Sequence, residues 1–241
     1  MSWIPTTAFV LAAGLGTRMR PLTDRLPKPL VPVGGRALID HVLDRIAAAG
    51  IARAVVNVHY MADAIESHLA SRKKPAITIS DERAQLLDTG GGVRKALPLL
   101  GDKPFLVHNS DSIWLETGPS NIARLAAAFD PERMDTLLLL APVATSLGYD
   151  GRGDFDLAPD QRLSRVVKGD RAAYVFTGIS IVHPRLLQNT PDGPFSLNLV
   201  WDRAIADGRM CGIPLDGTWM HVGDPAAVMA AERCLADAAR P

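Results

Sequence analysis

The chain has 241 residues, its 26 Lys and Arg balance 26 Asp and Glu, and 47% of it is hydrophobic. That apolar content excludes a disordered chain, and the neutral balance removes the global basic field expected of a nucleic-acid or anionic-membrane binder. Two cysteines, Cys211 and Cys234, are too few for a disulfide framework and lack metal-type spacing, so small core residues in a reducing compartment are expected.

The first residues, Met1-Ser2-Trp3-Ile4-Pro5, show neither a basic region nor a long apolar stretch. No secretory leader is therefore expected, no window is long enough to span a bilayer, and a cytoplasmic location follows. The first element is an apolar run over residues 9–12, which predicts a buried strand broken by Gly14 and Gly16. Its loop carries Arg18, Arg20 and Lys28. Glycines let backbone N–H groups approach a polyphosphate, and the cations neutralise its charge. Two familiar glycine-rich patterns fail, because the third glycine of Gly-x-Gly-x-x-Gly is missing and no Gly-Lys-Ser/Thr triplet is present.

Further strands are predicted over 54–58, 77–80 and 105–108, with helices over 38–49, 62–70 and 93–100 between them. Ile39, Val42, Leu43 and Ile46 share one face of the first helix, and Gly50 closes it. This alternation predicts an α/β fold with a doubly wound, mainly parallel sheet and ligands at the carboxyl ends of its strands. A helix over 122–129 and a strand over 136–142 follow. Past the glycine-rich turn at 148–153, short strands over 154–157, 162–167 and 173–182 predict a small β-rich region. The last third returns to helix, strand and helix, the final one over 226–239, which is either core or a homodimer face. Without repeats or linkers, a single domain over 1–241 is expected.

Two further stretches suggest chemistry. Asp88-Thr89-Gly90-Gly91-Gly92 precedes the predicted helix at Val93, where three glycines suit close approach to the backbone and a helix N-terminus offers N–H donors. An ordinary loop with Thr89 as N-cap is the alternative. Asp111 ends an apolar strand, where a carboxylate suits Mg²⁺ or caps the next segment.

The run from Leu11 to Leu30, with Pro27-Lys28-Pro29-Leu30 closing it, resembles the signature of the sugar-1-phosphate nucleotidyltransferases. Among these the chain looks most like the uridylyltransferases of cell-wall sugar recycling. The resemblance implies a Rossmann-like nucleotidyltransferase fold, with residues 1–115 mainly binding nucleotide and 116–241 mainly binding sugar phosphate. It implies UTP and N-acetylmuramate 1-phosphate as partners, neither nucleic acid nor membrane, and Mg²⁺ as cofactor, with Mn²⁺ as a substitute. Mannose or glucose 1-phosphate as acceptor, and a non-catalytic nucleotide-sugar-binding subunit, are the alternatives.

Carried over residue by residue, the resemblance places Ala13, Gly14, Gly16 and Thr17 at the phosphates, and Gln85, Thr89 and Gly90 at the base. Arg18 would stabilise the β- and γ-phosphates and Lys28 the α-phosphate. Ser112, Asp154, Lys168, Gly178 and Asn198 fall on the acceptor side, and Asp111 on the metal. Ser110 stands where relatives have glycine, and His221 where they have a second metal-binding Asp. Either His221 or Asp224 would complete that site, or His221 contacts phosphate only, or Asp224 caps the helix that begins at Pro225.

Overall fold

Burial on both faces decides where the first strand lies. The computed structural model describes residues 3–166 and 169–238, and Thr7–Leu11 (β1) runs through the middle of its sheet. Ala8 and Val10 point to one helical layer and Phe9 to the other, all 0% exposed, so an unbroken apolar run rather than an alternating one is needed. A hairpin of Pro32–Val33 (β2) and Arg36–Ala37 (β3) leads into Leu38–Ala48 (α1). Then come Arg53–Val58 (β4), Ala62–Leu69 (α2), Ala76–Asp81 (β5), Asp88–Leu100 (α3) and Phe105–Asn109 (β6). β4 and β6 flank β1 in parallel register, and β5 lies parallel outside β4.

The second half extends the same sheet. After Ser112–Leu115 (β7) and Asn121–Ala128 (α4), the chain forms Thr136–Pro142 (β8), Phe155–Leu157 (β9), Leu163–Arg165 (β10) and Tyr174–Val182 (β11). It ends with Asn198–Ala206 (α5), Met210–Pro214 (β12), Thr218–His221 (β13) and Pro225–Ala238 (α6). β11 lies antiparallel to β6, β8 and β9, while β12 is parallel to β8. The described residues thus make a nine-stranded sheet that is mostly parallel in direction, with β10 and β11 reversed. β7 and β13 pair separately.

α1, α2 and α4 cover one face, and α3 and α5 cover the other. The apolar face of α6 is core: Val228 and Ala231 pack with Met19, Val31, Ile113 and Val222. Among the described residues no helix is long and apolar enough to cross a membrane.

His108 on β6 is fully buried, stacked on Trp114 with ring centroids 5.6 Å apart, and its Nδ1 donates to Asn109 O at 2.8 Å. Burial outweighs that hydrogen bond and pushes the imidazole down to about 4. Between that value and the ordinary 6.5, the unfolded chain takes up a proton that the folded one refuses. Stability is therefore intact above pH 6.5 and falls as the pH drops toward 4, by up to about 3 kcal/mol. Urea melts at pH 7 and 4.5 should show this loss, and His108→Phe should shrink it.

Candidate active site

Beyond β1 the chain turns over a cleft of about 650 Å³. Gly16 is forced by its surroundings: its φ is +63°, and a Cβ there would sit 3.0 Å from Thr23 Cγ2 and 3.1 Å from Lys28 Cβ. The Thr23 hydroxyl also donates to Gly16 O at 2.8 Å, so the loop is tied to the segment that carries Lys28. Around Gly14 a Cβ would meet nothing within 4 Å. The two glycines should therefore respond differently to alanine. Gly16→Ala is expected to lose about 1–2 kcal/mol of stability from its left-handed backbone. Gly14→Ala should keep the wild-type melting temperature and instead raise the KM for nucleotide, a split that thermal melts and kinetics together read out.

Ala13, Gly14, Gly16, Thr17 and Arg18 all line the cleft. Met19 is buried against the α6 cluster and anchors the loop, while Arg18 stays exposed. Among the described residues no carboxylate pairs with Arg18.

Opposite the loop, Lys28 Nζ and Asp111 Oδ2 form a close ion pair, with the side chains only 13% and 21% exposed. Asp111 follows β6 at the carboxyl end of the parallel strands, and its carbonyl accepts from Val222 N–H at 3.4 Å. Burial works against the ionised Asp111, but the Lys28 charge and hydrogen bond outweigh it and hold the carboxyl below its ordinary value. The β7–β13 pairing sets His221 opposite Ser112, so the imidazole lies beside Asp111. Burial holds His221 below its ordinary value, with Lys28 and Arg18 adding to the effect against Asp111, so the ring is neutral at pH 7. Asp224 is exposed and its Oδ1 accepts from Ala227 N–H at 2.9 Å, which makes it the cap of α6, the alternative to a metal role. Among the described residues no three His, Cys, Asp or Glu converge on a metal position.

The nucleobase side differs from expectation. α3 starts at Asp88 rather than Val93, so the three glycines are its first turn and not a loop before it. Gly90 and Gly91 donate their N–H groups to Phe195 O at 2.8 and 3.0 Å, and Thr89 Oγ1 accepts from Leu197 N–H at 2.9 Å. The close neighbour that excludes side chains at Gly90 and Gly91 is the protein's own 193–195 segment. The Gly90 amide is therefore already satisfied, Gln85 lies off the cleft, and Leu86, Asp88 and Thr89 form that wall.

The expected acceptor residues are more scattered. Ser112 is buried, its hydroxyl donating to Thr177 O while accepting from Trp219 Nε1 at 2.8 Å, so it braces β7, and it does not line the cleft. Asp154 Oδ2 accepts from Phe176 N–H at 2.8 Å, and the exposed Asn198 accepts from Arg165 at 2.7 Å. Neither lines the cleft. Gly178 has φ +88° at the register shift of β11, and a Cβ there would come within 2.8 Å of Asn109 Nδ2. Lys168 lies outside the described residues. Ser110, noted for standing where relatives have glycine, lines the cleft, and Asn57, Asn109, Pro194 and Gly223 line it without having been singled out for it. Their one signal in sequence is position: Asn57 and Asn109 interrupt apolar strands near their carboxyl ends.

The cleft therefore gathers a glycine loop, two cations and a carboxylate at the carboxyl edge of a parallel sheet. Residues 7–150 match the family model described as Nucleotidyl transferase. An N-acetylmuramate alpha-1-phosphate uridylyltransferase of Caulobacter vibrioides is 53% identical, covering 99% of this chain and 100% of its own. A protein of the same name from Neisseria meningitidis is 36% identical over 90% of this chain and 92% of its own. The solved inositol-1-phosphate CTP transferase from T. maritima superposes with a TM-score of 0.74 at 19% identity, over 94% of this chain and 93% of that one, and so shows the shared fold. With the family model and both relatives agreeing, the chain belongs to the nucleotidyl transferase family, among its sugar-1-phosphate nucleotidyltransferases.

Proposed function

We propose that this protein transfers a uridylyl group from UTP to N-acetylmuramate 1-phosphate, releasing pyrophosphate. The observation that carries the chemistry is the convergence of the phosphate loop, Arg18, Lys28 and Asp111 on one cleft. The choice of substrates rests on the names of the two relatives that span the chain.

An oxygen of the sugar phosphate attacks the α-phosphorus, the bond to the β-phosphate oxygen breaks, and pyrophosphate leaves with the electron pair. The attacking oxygen is already anionic, so no general base is needed. The difficulty is to bring two polyanions together. Lys28 faces the α-phosphate from one bank, Arg18 meets the β- and γ-phosphates, and the loop amides hold them in line. Asp111, with the neutral His221 beside it, suits a divalent cation. One carboxylate with substrate phosphates is a common Mg²⁺ arrangement, and the imidazole also admits Mn²⁺. Asp111 would hold such an ion, which would neutralise phosphate charge, while Lys28 faces the α-phosphate.

The substrate assignment is tested by pairing UTP, GTP, CTP, ATP and dTTP with N-acetylmuramate, N-acetylglucosamine, glucose and mannose 1-phosphates. Pyrophosphate release is expected to be fastest with UTP and the muramyl acceptor. A faster rate with GTP and mannose 1-phosphate would keep the chemistry and replace the substrates.

A further inference from the structure

In the wall of the cleft a buried polar chain joins its two banks. Ala12 N–H donates to Asn57 Oδ1 at 2.7 Å, Asn57 Nδ2 donates to Glu82 Oε1 at 2.8 Å, and Leu87 N–H donates to Glu82 Oε2 at 3.1 Å. Glu82 is 0% exposed and Asn57 1%. Ala12 leads into the phosphate loop, and Leu87 immediately precedes α3 on the base side. α3 is seated on the same chain, since a Cβ on Gly92 would come 2.8 Å from Glu82 Oε1 and 3.1 Å from Asn57 Nδ2.

The order of donors is what makes this arrangement specific. Both ends are backbone N–H groups, so the side chains between them must place an acceptor at each end and set one donor against one acceptor in the middle. Asparagine followed by a carboxylate does so. A donor facing a donor at this depth leaves a buried group unsatisfied.

We propose that Asn57 and Glu82 are positioning residues that hold the Ala12 amide and the Leu87 turn in one fixed relation, so that the base-side bank sets the geometry of the phosphate loop. This rests on the nucleotide-binding reading of the cleft. Neither side chain touches the reacting atoms; both act through Ala12 and the loop that follows.

Inorganic tripolyphosphate is the probe, because it has no base to contact the Leu87 side. Glu82→Gln turns an amide donor toward either Leu87 N–H or Asn57 Nδ2, and is expected to weaken tripolyphosphate binding about tenfold. Asn57→Asp sets two carboxyl groups against each other and weakens it as well. In the double variant every donor again faces an acceptor, with the middle pair reversed: Asp accepts from Ala12 N–H and from the Gln amide, and the Gln oxygen accepts from Leu87 N–H. Calorimetry should therefore show Glu82→Gln weakening binding in the native background and strengthening it in the Asn57→Asp background. The same sign in both backgrounds would overturn the proposal, because ordinary loss of packing has no reason to reverse. If Glu82→Gln alone does not fold, the comparison within the Asn57→Asp pair still decides: no gain from the second substitution overturns it. Wild-type protein that binds neither tripolyphosphate nor UTP would remove the nucleotide reading, and the proposal with it.

Discussion

Replacing Lys28 with alanine is expected to lower turnover about 10²–10³-fold, the usual cost of losing one preorganised charge at a developing anion. Lys28 is suited to that role because its side chain is largely buried and fixed by Asp111 before substrate arrives. Little reorganisation is then needed as charge moves onto the leaving pyrophosphate. The substitution also strands Asp111, whose carboxyl would shift upward as burial loses its main opponent. Breaking a largely buried pair from one side is costly, so a fall of a few degrees in melting temperature should accompany the loss. Saturating turnover measured well below the new melting point separates the two effects. Turnover unchanged there would take Lys28 out of the mechanism.

Asp111→Asn should be as damaging by a different route. The amide keeps the shape of the carboxylate and removes its charge, so the side chain no longer attracts a divalent cation. Turnover is expected to fall about 10³-fold, or roughly 4 kcal/mol. Nucleotide affinity should change little, since Lys28 is released and still faces the phosphates. Measuring the Kd for UTP by calorimetry beside kcat by pyrophosphate release tests that division. A variant within tenfold of wild-type turnover would assign the cation to other groups.

Sequence pattern was most informative where local and tertiary demands agree. β1, β4 and β6 are short apolar runs buried on both faces, and α1 carries its core residues at helical spacing, so position and partner layer follow from pattern. The loop after β1 was legible as part of the cleft for the same reason: its glycines answer to local geometry. Pattern was silent where the deciding contact lies far away in the chain. The start of α3 was misplaced because three glycines disfavour a helix by propensity, while Phe195 O and Glu82 hold that turn in place. β7 and β13 are four-residue strands about a hundred positions apart, and each gains its identity only from the other. The resemblance puts Ser112 on the acceptor side, while in the fold its hydroxyl is engaged by Trp219 and Thr177 O, contacts that no local pattern signals. Asn57 and Glu82 carried no motif, since a hydrogen-bonded bridge between three elements has no sequence period.

The most direct test of a cleft that joins two phosphates is turnover by purified protein given UTP, N-acetylmuramate 1-phosphate and Mg²⁺. Pyrophosphate and a uridine-diphosphate sugar should form in equal amounts, and neither should form when the sugar phosphate is left out. Tight UTP binding without product in either Mg²⁺ or Mn²⁺, across all four sugar phosphates, would contradict catalysis and leave a nucleotide-binding protein on this fold.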